Sequence, residues 1–422
     1  MKNLLSLSLV LTGLALSNTT NASGYALVSN GNDTGAGSLR AALTQGATTI
    51  GIKSSVSTIS ITETLEYDSV NQLRIIGTGQ TIDASGISDN GDILSINEGA
   101  NLSIENLSFI GNAASVNEDP TNPVGGKGIF VNVPVTQTQT VKVFLDNVDV
   151  TRVGNHGIHV SDCTLRDECG GGSGGGGEGS PASVYVNLND VSVNTVGFGR
   201  QDADGVRVDE RGDGSIFFVA NNSNFLNVGA DGVELDEGNN GDVITNVNNS
   251  LFDSNGEYCN VIPFIVSGPC DDDGDADVDD GFDIDEAGAG KLYARVRNTK
   301  VINNFDEGLD FDEEDEGNII IAISDVLALG NSDEGIKASE EDDGGIKAYL
   351  SNVTIVDNNS EGEGIELEEE STGNVVVVID GSNAIGGESE ALQVEQEDEG
   401  TGTLQIRNSN FPVLDLEGVG QI

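Results

Sequence analysis

The chain has 422 residues, enough for one large or two medium domains, and carries 71 Asp and Glu against 18 Lys and Arg, a net charge of −53. Residues 202–399 hold 51 of the acids and 8 of the cations. That balance argues against nucleic acid and anionic membranes as partners, because both are bound through basic residues that release counterions. Acidic chains are often disordered, but here apolar residues alternate regularly, and 57 Gly with 7 Pro fit many tight turns between short strands.

Residues 1–23 read as a secretory signal, with Lys2 as the charged start, Leu4–Leu16 as the apolar stretch and small residues through Ala22 and Ser23. The apolar run is too short to span a bilayer. The expected localisation is secreted or cell-surface, with no transmembrane segment. In the next segment, 24–50, Gly37-Ser38 followed by Leu39-Arg-Ala-Ala-Leu43 predicts an N-cap and a short helix that would plug the open end of a stack of strands. Strand signals then fill 51–422. Four cysteines form two local pairs, Cys163/Cys169 and Cys259/Cys270; an exported chain favours disulfides, and six-residue spacing without an adjacent pair makes a poor zinc site. These pairs fall in two insertions, at about 163–181 and 257–279.

From Asp204 a motif recurs: Asp-Gly-Val-Arg-Val-Asp-Glu (204–210) returns at 231–237, 280–286, 307–313, 334–340, 363–369 and 390–396. Most steps are 27 residues, one is 29 and one of 49 holds the second insertion. A fixed period of this length predicts a solenoid whose coils bury their apolar sides only against one another. Eighteen residues after each motif start stands a second mark: Asn222, Asn249, Asn298, Asp325, Asn352 and Asn408, with Gly381 the exception, preceded by Asn106, Asn147 and Asn189. A stacked Asn tolerates the left-handed geometry of a sharp turn and can bond to the Asn one coil away. With these marks the sequence resembles the pectin-lyase-like superfamily of right-handed parallel β-helices over about residues 50–415. The resemblance implies an all-β fold with an asparagine ladder and leaves function open, since the superfamily holds lyases, hydrolases, epimerases and adhesins. The Gly-Ser-Leu-Arg-Ala-Ala-Leu opening is similar to that of secreted adhesin-like β-helix proteins.

Within the motif, Val233 and Leu235 are expected to point inward and Glu234 and Asp236 outward. Stacking gives one outward column through His159, Arg207, Glu234, Asp283, Asp310, Lys337, Glu366 and Gln393. A second runs through Ser161, Asp209, Asp236, Asp285, Asp312, Ser339, Glu368 and Glu395. Coils about 4.8 Å apart place like charges where they repel by about 0.9 kcal/mol in water. Ca²⁺ takes carboxylate oxygens at about 2.3–2.6 Å and fits that gap. Asp209, Glu234, Asp236, Asp283, Asp285, Asp310 and Asp312 are therefore candidate metal ligands, against the plainer alternative of a solvated acidic face. The Asp271–Asp280 loop has Asp at alternate positions, but Ala276 and Phe282 occupy places where a calcium loop needs Gly and Glu.

The following strand presents another outward face, with Phe217, Tyr293, Arg295, Arg297, Lys347 and Tyr349, far less acidic and partly apolar. It is expected either to be covered or to meet a partner or glycan. His156 and His159 are the only histidines, and no nucleophile motif appears. The reading is a secreted, Ca²⁺-binding surface, matrix or adhesive protein whose partner is an extracellular glycan or surface protein. A Ca²⁺-dependent polysaccharide lyase and a self-assembling fibre subunit are the alternatives. Against the lyase stand the repulsion of an anionic substrate and the absence of Trp.

Overall fold

Alternation of β-branched and polar residues makes strands, and the 27-residue return stacks them. In a computed structural model, described here for residues 24–88, 90–113, 115–117, 119, 122–163, 179–258, 279–356, 363–385 and 390–422, the chain is a parallel β-helix. The expected signal 1–23, most of both insertions and Cys169, Cys259 and Cys270 lie outside the described residues. Cys163 is buried and is not a free thiol. None of the helices among the described residues is long and apolar enough to cross a membrane.

Two sheets form the walls. Among the described residues one has 12 strands and carries the acidic motif; the other has 21 strands and carries the two remaining sides of each coil. Their ladders are parallel, and the register follows the repeat: Val206 pairs with Val233, Val233 with Phe282, and Phe282 bridges to Leu309. Inward residues stack like on like. Val206, Val233, Phe282, Leu309, Ile336, Ile365 and Leu392 form one fully buried column, and the Phe225 and Phe252 rings stack at 4.9 Å between centroids. The motif glycine is needed because a Cβ on Gly232 would sit 2.4 Å from the Gly281 carbonyl oxygen of the next coil.

The asparagine marks hold the bend between two sides of each coil. Asn106, Asn147, Asn222, Asn249, Asn298, Asp325, Asn352 and Asn408 all have φ between 50° and 56°, and Gly381 has φ 67°. Asn249 Nδ2 donates to Asn222 Oδ1 at 2.7 Å, and Asn147 Nδ2 to Asn106 Oδ1 at 2.9 Å. One mark is displaced: Asp190 (φ 53°), not Asn189, takes the left-handed position in its coil. Asp shares the short polar side chain that lowers the cost of this conformation, so the neighbouring Asn misled the spacing. A second, interior ladder, Asn255–Asn304–Asn331, is buried and bonded at 2.9 and 3.0 Å.

The predicted helix runs Leu39–Thr44, and Ser38 Oγ accepts from the Ala41 N–H as its N-cap. Leu39 and Leu43 reach the core. The segment before residue 51 also contributes strand Tyr25–Val28, paired in parallel with Thr49–Ile52, so the coil begins earlier than the sequence division at 50.

Candidate functional site

The outer side of the 12-stranded sheet carries both predicted columns in register. Arg207 lies beside Glu234, Glu234 beside Asp283, Asp236 beside Asp285 and Asp285 beside Asp312. They point away from the core but not into water: Asp209, Asp236 and Asp310 are fully buried, Asp283, Glu234 and Asp285 nearly so, and Asp312 half-buried. The plainer alternative of a solvated acidic face does not describe these buried residues. Alternation reports which side of a strand a residue takes, not what lies over it.

Burial divides the predicted ligands. Asp209 accepts from His159 Nε2 at 2.6 Å and from Arg207 Nε at 2.7 Å. Asp236 takes Arg207 Nη2 at 3.1 Å and also Arg211 Nη2. These two carboxylates thus serve the basic residues. Burial opposes the charge of Asp209, yet Arg207 and His159 hold its carboxyl well below the usual range. His159 is pushed down to about 3 by burial and by nearby Lys127, so its ring is neutral at pH 7.

Glu234, Asp283, Asp285 and Asp310 lie otherwise. One oxygen from each of Glu234, Asp283 and Asp285 falls within 4.8 Å of the others, and the same holds for Asp280, Glu307 and Asp310. All six residues are buried. Burial and the neighbouring Asp310 raise Asp285 to about 7; burial raises Glu234 well above its ordinary value even against Arg207. Burial likewise raises Asp310, despite Lys337 Nζ at 3.0 Å. Such groups hold protons where no cation replaces them, and their oxygen-only donor sets suit a hard divalent ion. Asp280 and Glu307 open the motif, three residues ahead of Asp283 and Asp310. The sequence reading missed them because it followed strand alternation alone.

Also missed is the motif's last residue. Glu210, Glu237, Glu286, Glu313, Glu340 and Glu369 are fully buried on the inner side, with Gln396 closing the row. Both oxygens of Glu286, Glu313 and Glu340 are buried without a hydrogen-bond donor, so a proton between neighbours is what would join them. Burial and the neighbouring Glu313 and Glu237 carboxyls raise Glu286 to about 11, and burial with Glu313 beside it raises Glu340 to about 9. The visible signal was a glycine four residues on: a Cβ on Gly317 would lie 2.2 Å from Glu313 Oε1, so the turn has no side chain where the carboxyl lies.

At the N-terminal end of the same sheet face lies a cavity of about 450 Å³, lined among others by Asp92, Ser95, Lys127, Phe130, Asn155 and Arg200. Lys127 Nζ stands 4.2 Å from the centre of the Phe130 ring, and that ring is 5.3 Å from His159. The cavity therefore adjoins the His159–Asp209–Arg207 cluster, which in turn adjoins the acidic groups. His156 accepts at Nδ1 from the Asp204 N–H at 3.1 Å.

No protein-family profile matches the chain, and no curated protein matches it. Among solved structures it is similar to tailspike protein 2 of Escherichia coli O157:H7 bacteriophage CAB120, at 12% identity and TM-score 0.40, over 87% of this chain and 39% of that one. It is also similar to Geobacillus virus E2 ORF18, at 12% identity and TM-score 0.39, over 94% of this chain and 62% of that one. A third is the A-module of Azotobacter vinelandii mannuronan C-5 epimerase AlgE4, at 13% identity and TM-score 0.40, over 93% and 94%. The chain thus spans well under two thirds of the first tailspike's length. Nothing about activity follows from likenesses this distant.

Proposed function

We propose that this chain is an extracellular Ca²⁺-binding β-helix with a surface, matrix or adhesive role, and that it meets an acidic glycan along the outer face of its 12-stranded sheet. The observation that carries the reading is the burial of two three-carboxylate groups, Glu234/Asp283/Asp285 and Asp280/Glu307/Asp310, whose oxygens converge within 4.8 Å. Clustered buried carboxylates cost several kcal/mol when all are ionised, unless a cation balances them. A divalent ion there lowers the cost and presents charge to a sugar carboxylate. The adjoining cavity supplies what a sugar ring needs: the Phe130 face, amide and hydroxyl groups, and the cations Lys127 and Arg200.

Thermal unfolding with excess Ca²⁺, with Mg²⁺ and with chelator, at matched ionic strength, tests the metal. Calcium at 100 times its dissociation constant adds about 2.7 kcal/mol per site. A calcium-specific rise in Tm that Asp283→Asn reduces, and that Asp283→Asn with Asp310→Asn abolishes, is the expected result. Equal midpoints in all three would leave the groups protonated and end the reading.

A second reading, a glycan-active enzyme of lyase type, is favoured by one arrangement: a neutral His159 and Arg207 share Asp209 beside the cavity. Arg207 would steady the carboxylate of a uronate there and His159 would take the proton from the neighbouring carbon, which requires its basicity to recover once substrate covers the site. If this reading holds, uronate polymers incubated with calcium and the chain gain the ultraviolet absorbance of an unsaturated product, and His159→Ala removes it. No absorbance on any uronate polymer leaves binding without cleavage.

A further inference from the structure

In a chain with 53 more acids than bases, Lys291, Arg295, Arg297 and Lys347 stand on one outer side of the 21-stranded sheet, with Lys300 just past the Asn298 bend, and none forms an ion pair among the described residues. They belong to strands Lys291–Arg297, Lys300–Ile302 and Ile346–Ser351. Strand Ile319–Ser324 runs between the first and the last of these, paired in parallel with both. Register puts Ile320 between Tyr293 and Lys347, and Ala322 between Arg295 and Tyr349.

The outer residues of the middle strand, Ile320, Ala322 and Ser324, are short or apolar and half-buried, while Arg295, Lys347 and Tyr349 on its flanks are exposed. The result is a trough. Its walls stand two coil spacings apart, about 10 Å, and its floor of six residues runs about 20 Å along the strand. Tyr293 and Tyr349 sit diagonally across it, each beside cations. Elsewhere in the coils 202–399 acids outnumber bases, so this group of cations without ion pairs is where an external anion meets attraction rather than repulsion.

We infer that this trough binds an acidic polysaccharide chain, laid along strand Ile319–Ser324, with Arg295, Arg297 and Lys347 on its carboxylates and the tyrosine rings against its sugar faces. Charge complementarity selects an anion, and the tyrosines select sugar rings over a bare anion. The net charge of −53 selects a polymer of low charge density: duplex DNA carries one charge per about 1.7 Å and meets far stronger repulsion. This surface is separate from the carboxylate groups and does not depend on calcium there.

Polygalacturonate, an unbranched uronate polymer, is titrated into the full chain in excess chelator at low salt, with neutral dextran as control. The expected result is binding of polygalacturonate and not of dextran, weakening steadily as salt rises. Arg295→Ser with Lys347→Ser lowers the affinity about tenfold. Both residues are exposed, so the variant keeps the circular dichroism and Tm of the parent. No binding in chelator, or equal binding by the double variant, overturns the trough. Stronger binding of duplex DNA than of polygalacturonate overturns the assignment to a glycan.

Discussion

Asp236→Ala is expected to destabilise the protein by about 3–5 kcal/mol, the cost of leaving a buried charge without its partner. Asp236 is fully buried, and it accepts from Arg207 and from Arg211, itself only 1% exposed. Arg207 keeps Asp209 and Glu234 when Asp236 goes, but Arg211 loses the carboxylate that its guanidinium meets. Burial already pulls the Arg211 pKa below its ordinary value, so the site is costly even with Asp236 present. Asp236→Asn, which keeps an acceptor without the charge, falls between. Asp312→Ala makes the control: it stands in the same column, but its side chain is 22% exposed and its Lys337 contact is 3.9 Å long. A partly exposed pair at that distance contributes about 1 kcal/mol or less. Urea midpoints followed by circular dichroism, at constant m, separate the two. Equal losses at positions 236 and 312 would show that burial of the guanidinium pair does not decide the stability of this face.

That contrast also marks where the sequence stops being readable. The coil period, the inward Val and Leu and the outward Glu and Asp follow from repetition and alternation, because a parallel ladder forces like positions into columns. The asparagine bends follow too, except at 189–190, where two adjacent residues compete for one left-handed position. What covers a column does not follow. Asp236 and Asp312 occupy equivalent positions, yet one meets two guanidinium groups and the other stands 3.9 Å from a lysine that Asp310 holds more closely. Arg211 stands just past the motif, where the chain leaves the strand and alternation no longer assigns a side. Asp280 and Glu307 were likewise read as the start of a motif rather than as neighbours of Asp310. Such convergence depends on the turn between strands, whose path a 27-residue period does not specify.

The inner glutamate row predicts the second large effect, a stability that falls as the solution becomes more alkaline. Glu340 is fully buried between Glu313 and Glu369, and burial with these neighbouring carboxyls raises its pKa to about 9. In the unfolded chain a glutamate releases its proton near pH 4.3. Between that value and about 9 the folded state binds more protons than the unfolded one, so stability declines with rising pH, by up to about 1.4 kcal/mol per pH unit for such a group. The contribution is complete below the unfolded value and gone above the folded one. The row itself contains the remedy: Gln396, in the equivalent position, donates from Nε2 to Glu369 with no proton to lose. Glu340→Gln should therefore keep the hydrogen-bonded stack, because its amide donates to one neighbouring carboxylate while its carbonyl accepts from the other carboxyl. Urea unfolding at pH 5, 7 and 9 is expected to show the variant close to the parent at pH 5 and clearly more stable at pH 9. Glu340→Leu, which fits the apolar side but offers neither neighbouring carboxyl a polar partner, should lose stability at every pH. Parallel pH profiles for the parent and Glu340→Gln would mean that the stacked carboxyls hold no protons between them and that another cation separates them.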